Sequence, residues 1–459
     1  MNSSTQPEPA PSETSRKSGL FAYNLRLAGR NIRRTPVLSV LMVAAIGIGI
    51  GASMSMVTVN YRFAANPLPE KSDVLHYVRL DSWSPEQPWN NGNAPPSQLT
   101  YLDASALMRE KRAFRQAMMS AARMSVEPPD REQRPFFAAT RATTADFFAM
   151  FNVPFRFGGP WDAAIDESAE QVVVLKAETN DRVFGGRNPV GQTITLAGDD
   201  YRIVGVLDRW DPPMRFYDAG AGGGIGDPIE DLFIPWNLLV ANELQRAGNI
   251  NCWQPIDGDG LQAFLNSECV WIQFWAELRN EEERQAYVDF LDAYVAQQKE
   301  LGRFPRPVDN RATPMMDWFE EIENVPTEAI VLLGLSVIFL VVCLLNTLGL
   351  LLAKFLGKAN EIGIRRALGA SRRTLMQQYL VEAGVIGAAG GLLGLGLTWL
   401  GLRGIERQFS TIDLGSFLTI DWNMALAAVA LAIVASLITS IYPTWRACNV
   451  QPAAHLSAN

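Results

Sequence analysis

Residues 361–371 combine charged and apolar side chains in a pattern suited to binding another protein. On a helix, Ile364 and Leu368 share one face because they are four residues apart. Arg365 and Arg366 then project to the sides of that face. We predict a short, basic and partly apolar helix that docks on a partner. The alternative is that these arginines only hold the segment in the cytoplasm, as basic residues beside membrane spans usually do.

The ends of this docking helix are also predicted by the sequence. Gly369 is typical of the residue that follows a helix C-terminus, and Ser371 is typical of an N-cap. A second helix is therefore predicted to start after Ser371 and to run through Leu375. The complete set of predicted docking residues is Glu361, Ile362, Gly363, Ile364, Arg365, Arg366, Ala367, Leu368, Gly369, Ala370 and Ser371.

Catalytic and metal-binding patterns are absent from the sequence. No Gly-x4-Gly-Lys-Ser/Thr motif occurs, so nucleotide binding through a P-loop is not expected. His76 and His455 are predicted to lie in different compartments, which excludes a zinc pair, and a structural role is favoured for His76 over a Ser-His-Asp triad. Glu382 is predicted to be an interfacial charge rather than a proton relay. We expect no enzymatic activity, no metal and no directly bound cofactor.

Four charge-free windows are long enough to cross about 30 Å of hydrocarbon. They are residues 37–59, 329–353, 383–402 and 424–443. The chain has a net charge of −8, which divides into −16 for residues 62–328 and +8 for the rest, where basic residues flank the windows. By the positive-inside rule, the large acidic insertion is outside and both chain ends are cytoplasmic. A nucleic-acid partner is not expected, because the basic residues adjoin the spans.

These observations predict a membrane protein with four transmembrane helices and a large extracytoplasmic α/β domain. The predicted order is a disordered cytoplasmic tail (1–18), an amphipathic interfacial helix (19–36), the first span (37–59), the α/β domain (60–328) ending in a stalk helix at about 313–328, the second span (329–353), a cytoplasmic segment with the docking helix (354–382), the third span (383–402), a short outer loop (403–422), the fourth span (424–443) and a cytoplasmic tail (444–459).

Alternating apolar residues and turn signals indicate the elements of the α/β domain. Strands are predicted at 73–80, 171–175, 193–196, 201–207 and 270–278, and helices at 102–119, 178–184 and 281–299. The glycine cluster at 220–226 is predicted to be a flexible loop rather than a phosphate cradle. Aromatic residues in two loops could contact a partner, although packing within the domain is the alternative: Trp83, Trp89, Phe216 and Tyr217.

Cysteine and glycine positions give two further predictions. Cys252 and Cys269 both lie in the outer domain, where they could form a disulfide or remain as two buried thiols. Small residues four apart allow membrane helices to approach closely, although glycine is also generally tolerated there. The candidate helix-packing residues are Gly47, Gly51, Gly387, Gly390, Gly391 and Gly394. Four spans are too few to enclose a wide path, which predicts a dimer.

Three stretches resemble one family of membrane proteins. Glu-Ile-Gly-Ile-Arg-Arg-Ala-Leu-Gly-Ala-Ser at 361–371 is similar to the coupling helix of FtsX-family ABC transporter permeases, which include MacB-like exporters. Residues 187–194 with 202–206, and residues 442–446 with 451–454, resemble the same family. The match at 361–371 is the most specific of the three.

The resemblance implies a permease subunit of the bacterial inner membrane whose two-lobed outer domain lies in the periplasm. It implies that a separate ABC ATPase binds ATP and magnesium and docks on 361–371. A second permease, identical or paralogous, is implied, with a periplasmic adaptor and an outer-membrane channel as optional partners and lipid around the spans. The implied activity is export or extraction of a drug, peptide or lipoprotein. Transmembrane signalling to a cell-wall hydrolase, or sensing of antimicrobial peptides, is the alternative, and an intramembrane enzyme is a distant third.

Overall fold

The computed structural model describes residues 13–89, 94–130, 132–210, 212, 215–218, 220, 228–322, 327–408 and 422–448. The chain forms two compact units. Residues 1–62 and 325–459 form one, called here the helical unit, and residues 63–324 form the other, called the α/β unit. The α/β unit is inserted between the first two long apolar helices.

The elements follow one another along the chain in this order: α1 (Glu13–Arg34), α2 (Pro36–Ala64), β1 (Leu75–Arg79), β2 (Leu99–Thr100), α3 (Tyr101–Glu110), β3 (Arg115–Glu127), β4 (Phe136–Thr143), α4 (Asp146–Met150), β5 (Phe155–Gly158), α5 (Ala163–Ser168), β6 (Val172–Leu175), α6 (Ala177–Phe184), β7 (Thr193–Leu196), β8 (Asp199–Leu207), a 3₁₀ turn (Phe216–Asp218), β9 (Leu232–Pro235), α7 (Trp236–Ala241), β10 (Arg246–Ala247), α8 (Gly260–Leu265), β11 (Val270–Glu277), α9 (Glu281–Glu300), β12 (Arg311–Pro314), α10 (Met315–Glu321), α11 (Thr327–Leu356), α12 (Ala359–Ala367), α13 (Arg372–Gln408) and α14 (Trp422–Cys448).

Within the described ranges, four helices are long and apolar enough to cross a membrane. The candidate spans are Pro36–Tyr61, Ala329–Leu356, Arg372–Ile405 and Trp422–Cys448. Each exceeds the roughly 20 residues that a bilayer core requires. The predicted fold class, four spans with a large α/β domain between the first and second, is therefore confirmed.

The first helix starts earlier than the sequence analysis predicts. Disorder was expected through residue 18, but α1 begins at Glu13; residues 1–12 lie outside the described part. One face of α1, carrying Asn24, Ala28 and Asn31, is buried and holds the helix in place. The residues before it extend the same backbone hydrogen-bond ladder.

Glycines on α13 allow it to contact α2 closely. A Cβ atom built on Gly390 would lie 2.7 Å from Cγ2 of Ile46, and one on Gly394 would lie 2.8 Å from Cγ2 of Ile50. The glycines of α2 are crowded in the same way. A Cβ atom on Gly47 would lie 2.8 Å from the side chain of Leu393, and one on Gly51 would lie 2.7 Å from that of Leu397. Without side chains at these positions, the two backbones approach within van der Waals contact.

A second glycine pair on α13 faces α14. A Cβ atom on Gly387 would lie 2.7 Å from Cβ of Ser436, and one on Gly391 would lie 3.0 Å from Cβ of Ala432. Ser436 also donates a hydrogen bond from Oγ to the carbonyl of Ala383, 2.6 Å away. All six glycines predicted to pack helices therefore lie at close approaches between α13 and its two neighbours.

Substituting one of these glycines should destabilise the helical unit. Gly394→Ala places a methyl group against Ile50 and should cost about 1–3 kcal/mol through overpacking. Gly396→Ala is the matched control, because no atom lies within 4 Å of its added Cβ; removing a helical glycine there should stabilise by up to about 1 kcal/mol. Thermal unfolding of the purified chain in lipid nanodiscs measures both effects. Equal shifts for the two variants would contradict the packing described above.

The α/β unit is built on one mixed sheet. Its main path runs β12–β1–β11–β3–β4–β9–β6–β8–β5, with β2, β7 and β10 paired at its sides. Strands from the two ends of the unit lie on one part of this path, and strands from its middle lie on the other. The long strand β3 joins them, because it pairs with β11 through residues 115–119 and with β4 through residues 119–126.

Alternation along the strands fills a hydrophobic core on each face of the sheet. On β3, Met118 and Met124 enter one core, whereas Ala117 and Met119 enter the other. The first core is covered by α3 and α9, and the second by α4 and α10. The apolar residues that these helices contribute are Leu107, Tyr287, Leu291 and Val295 for the first core, and Phe147, Phe148, Met315 and Trp318 for the second.

Two predicted helices are wrong in their extent. The helix at 102–119 ends at Glu110, where Lys111 adopts a left-handed conformation with φ of 47°. The residues from Arg115 onward instead join the sheet, since pairing with two neighbouring strands outweighs their helix propensity. The stalk helix at 313–328 is also corrected: residues 311–314 are β12, and α10 ends at Glu321. Residues 323–326 lie outside the described part.

The aromatic residues proposed as partner contacts are mostly buried. Phe216 and Tyr217 lie in the second core, and the Tyr217 hydroxyl donates to Oε2 of Glu230 at 2.6 Å. Trp83 is buried and packs edge-on against Trp89 with ring centroids 4.7 Å apart. Packing within the domain is therefore the role that the structure gives to these side chains. Of the 220–226 glycine cluster only residue 220 is described.

A disulfide joins Cys252 and Cys269, which are 17 residues apart in the sequence. We expect the intact mass of the purified chain to rise by two hydrogens on reduction. Replacing both cysteines with alanine should lower the free energy of unfolding by about 3 kcal/mol, because a loop of this length restricts the unfolded chain. Complete labelling of both thiols in unreduced protein would contradict the bond.

Candidate functional site: the docking helix and its support

The predicted docking segment forms a short helix with two well-defined ends. α12 ends at Ala367, and Gly369 then takes a φ of 96°. The Gly369 amide donates to the carbonyl of Arg366 at 3.1 Å, and the Ala370 amide donates to that of Arg365 at 3.0 Å. This pair of bonds is the Schellman motif, which satisfies carbonyls left free at a helix end.

The next helix starts immediately after this break. Ser371 accepts a hydrogen bond at Oγ from the Thr374 amide, 3.2 Å away, which is the geometry of an N-cap. Both ends of the break are therefore fixed by local hydrogen bonds. α12 is held at a set angle to α13 without any partner present.

The apolar residues of α12 point in two directions. Ile362 is buried and belongs to the same cluster as Phe355 and Tyr379. Ile364 and Leu368 are 58% and 83% exposed. The inward residue anchors the helix, and the two outward residues form an apolar surface that the helical unit does not cover.

The arginines of α12 are engaged within the helical unit. Arg365 forms an ion pair with Glu361 and donates to Oε1 of Gln378 at 3.3 Å. Arg366 donates to the backbone carbonyl of Cys448 at 3.2 Å, which ties α12 to the end of α14. Both arginines thus position the helix. The exposed Ile364 and Leu368 are therefore the better docking candidates.

A buried ion pair lies beside this segment, where the sequence analysis predicts an interfacial charge. Lys354 Nζ is 2.7 Å from Glu382 Oε1, and both side chains are fully buried. The Asn31 amide donates to Oε2 of Glu382 at 3.0 Å, and Lys354 donates to Ser39 Oγ at 3.1 Å. Glu382 is therefore buried and paired within the helical unit, and its position at the membrane surface stays a prediction.

Sequence reasoning missed this pair although a signal was present. Lys354 and Glu382 are ionisable residues inside two long apolar helices, and such residues usually face the bundle interior and pair with one another. Lys358 lies nearby, and its Nζ has no hydrogen-bond partner among the described residues. Burial lowers the pKa of Lys358, and the neighbouring Glu382 carboxylate opposes that shift.

The α/β unit has a cavity of about 500 Å³ with aromatic walls and carboxylates. Tyr101, Trp236, Asp146 and Asp166 are among its lining residues. Burial raises the pKa of Asp146, and it raises that of Asp166 to about 6 despite hydrogen bonds to Asp166 from the Ala145 amide and the Trp161 indole. Among the described residues, no group of three or more His, Cys, Asp or Glu side chains could hold a metal ion.

Asp166 should make the stability of the α/β unit depend on pH. Its folded pKa of about 6 exceeds its ordinary value of 3.8, so the folded state binds the proton more tightly. This stabilisation is complete below about pH 4 and is lost as the pH rises through 6, a change of about 3 kcal/mol. The unfolding temperature of the full chain should therefore fall less steeply between pH 4 and 7 in Asp166→Asn than in the parent chain.

The control for this experiment is Glu167→Gln. Glu167 neighbours Asp166 but is 76% exposed. Its replacement should leave the pH dependence unchanged, because an exposed carboxylate loses little hydration on folding. If the unfolding temperature depended on pH equally in Asp166→Asn and in the parent chain, the raised pKa of Asp166 would be contradicted.

Two family models match this chain. The model of the MacB-like periplasmic core domain matches residues 39–293, and that of the FtsX-like permease C-terminal matches residues 333–452. The first covers most of α2 and of the α/β unit. The second contains the docking helix, most of the second candidate span and the last two spans.

Several known proteins are similar in sequence or structure. The macrolide export ATP-binding/permease protein MacB of Wolinella succinogenes is 22% identical over 95% of this chain and 60% of its own length. The pyoverdine export ATP-binding/permease protein PvdT of Pseudomonas syringae pv. tomato is 24% identical over 68% of this chain and 42% of its own. The crystal structure of the periplasmic region of MacB from Actinobacillus actinomycetemcomitans has 11% identity and a TM-score of 0.35, covering 56% of this chain and 95% of that one. The chain spans about 60% or less of the full length of the MacB and PvdT proteins that are similar to it in sequence.

Proposed function

The chain belongs to the family of ABC transporter permeases with a MacB-like periplasmic core domain and an FtsX-like C-terminal region, and we propose that it couples ATP hydrolysis on a docked subunit to movement of its outer domain. The exposed apolar surface of Ile364 and Leu368 on a preformed helix carries this proposal. An apolar patch of this kind, rimmed by polar residues, is suited to a protein partner.

The proposed orientation places α12 in the cytoplasm and the α/β unit in the periplasm of a bacterial inner membrane. Basic residues flank the spans on the α12 side, whereas the inserted unit carries the acidic excess. This distribution follows the positive-inside rule. A disulfide in the α/β unit is compatible with an oxidising compartment on that side.

The partner at α12 is proposed to be an ABC ATPase subunit that binds ATP and magnesium. The two relatives named above are ATP-binding/permease proteins, and the present sequence has no P-loop. The role of this chain would then be mechanical: it receives a displacement at α12 and passes it through the helices to the α/β unit.

Export or extraction of a drug, peptide or lipoprotein is the proposed output. One relative is named for macrolide export and another for pyoverdine export. We further propose that a second permease, identical or paralogous, completes the complex. A periplasmic adaptor and an outer-membrane channel are additional candidate partners for the outer domain.

Leu368→Asp should abolish docking of the ATPase. The side chain is 83% exposed, so the fold should tolerate the change, while a charge in the centre of an apolar contact should cost about 2–4 kcal/mol of binding. Retention of the ATPase during affinity purification of the full chain from membranes measures this loss. Arg26→Gln on the exposed face of α1 changes the net charge equally and should leave retention unchanged.

Substitution of Arg365 or Arg366 is a less selective test. Both side chains bind within the helical unit, so their loss would also shift α12. If Leu368→Asp retained the ATPase in the same ratio as the parent chain, α12 would not be the docking site and the proposed coupling would have to enter elsewhere.

A further inference from the structure

The buried ion pair joins the two helices that flank the docking helix. Lys354 lies in the last turn of α11, and Glu382 lies within α13. The chain passes from α11 through α12 into α13. The 2.7 Å contact between Lys354 Nζ and Glu382 Oε1 therefore closes a loop of chain that contains α12.

Two more helices are attached at the same point. Asn31 of α1 donates to the second carboxylate oxygen of Glu382, and Ser39 of α2 accepts from Lys354. Asn31 and Ser39 are both buried. One carboxylate and one ammonium group thus connect α1, α2, α11 and α13. Ile362 of α12 lies in the same apolar cluster as Phe355, one residue after Lys354, and Tyr379, three residues before Glu382.

We propose that Glu382, with Lys354 as its counter-charge, is the positioning residue that passes displacement of α12 to α1, α2 and α11. This inference rests on the proposed function, in which an ATPase displaces α12. A charge left unpaired in an apolar interior is costly, so the two side chains stay together when either helix moves. The hydrogen bonds to Asn31 and Ser39 are directional, so they add a fixed alignment to the close packing of these helices.

Three variants separate the parts of this arrangement. Lys354→Met and Glu382→Gln each remove one charge and leave the other buried. The double variant Lys354→Glu with Glu382→Lys reverses the pair, and the Asn31 amide and Ser39 hydroxyl can still bond to it because each can donate or accept. Arg30→Met is the matched control, since Arg30 adjoins Asn31 on α1 but is exposed.

The first measurement needs no ATPase. Spin labels replace Leu356 at the end of α11 and Gln377 near the start of α13, both exposed, in the full chain in lipid nanodiscs. The parent chain, Arg30→Met and the reversed pair should give one narrow distance distribution. Lys354→Met and Glu382→Gln should broaden it, because the two helices are no longer held together. A narrow distribution in both single variants would overturn the proposal.

The second measurement distinguishes transmission from simple stability. Labels at Tyr61 and Leu332, exposed near the far ends of α2 and α11, report distance with and without ATP in the complex with its ATPase. Glu382→Gln should retain the ATPase yet reduce the population that changes distance on ATP binding about fivefold or more. The reversed pair should restore it.

Each outcome bears on one of the two proposals. A response to ATP in Glu382→Gln equal to that of the parent would overturn the role of Glu382. If the single variants lost both the ATPase and the change in distance, Glu382 would have a structural role only, and this outcome would also overturn the proposed role of Glu382. If the parent chain retains no ATPase, the proposed function fails, while the nanodisc distances still show whether Lys354 and Glu382 hold α11 and α13 together.

Discussion

The helical unit depends on the close approach of α13 to two neighbours. Lipid chains are as apolar as leucine, so membrane helices gain little from burying apolar side chains against one another and rely on tight packing. α13 achieves this with glycine pairs on two faces, one against α2 and one against α14. The position of α13 in turn fixes α12, because the break at Gly369 and Ser371 sets the direction in which the docking helix leaves it.

The docking helix divides its side chains between support and contact. Ile362, Arg365 and Arg366 bind within the helical unit, while Ile364 and Leu368 are exposed. A helix supported in this way loses little conformational entropy when a partner binds, which favours affinity. The same support makes it a rigid element, so in the proposed function a push from the ATPase would displace the neighbouring helices rather than bend a loop.

Much of this arrangement could be predicted from the sequence, for a physical reason in each case. The spans could be predicted because charged residues are excluded from the roughly 20 residues that cross the hydrocarbon. The docking segment could be predicted because its caps and its apolar periodicity depend on residues close in sequence. The helix expected at 102–119 was wrong because the pairing of β3 with strands distant in the sequence is invisible locally. The burial of Glu382 could have been inferred, because ionisable residues within apolar helices usually pair, but its partners could not, since Lys354, Asn31 and Ser39 lie on other helices.

The strand β3 has a consequence for how the outer domain can move. Because one uninterrupted strand pairs with β11 along its first part and with β4 along its second, both halves of the sheet share the same backbone. Opening and closing of the halves like a hinged jaw would have to bend β3 near Met119, where the two pairings meet, and the ladder hydrogen bonds on either side of that residue resist the bend. The described α/β unit is therefore suited to move as one stiff body rather than to close the two halves of its sheet on each other.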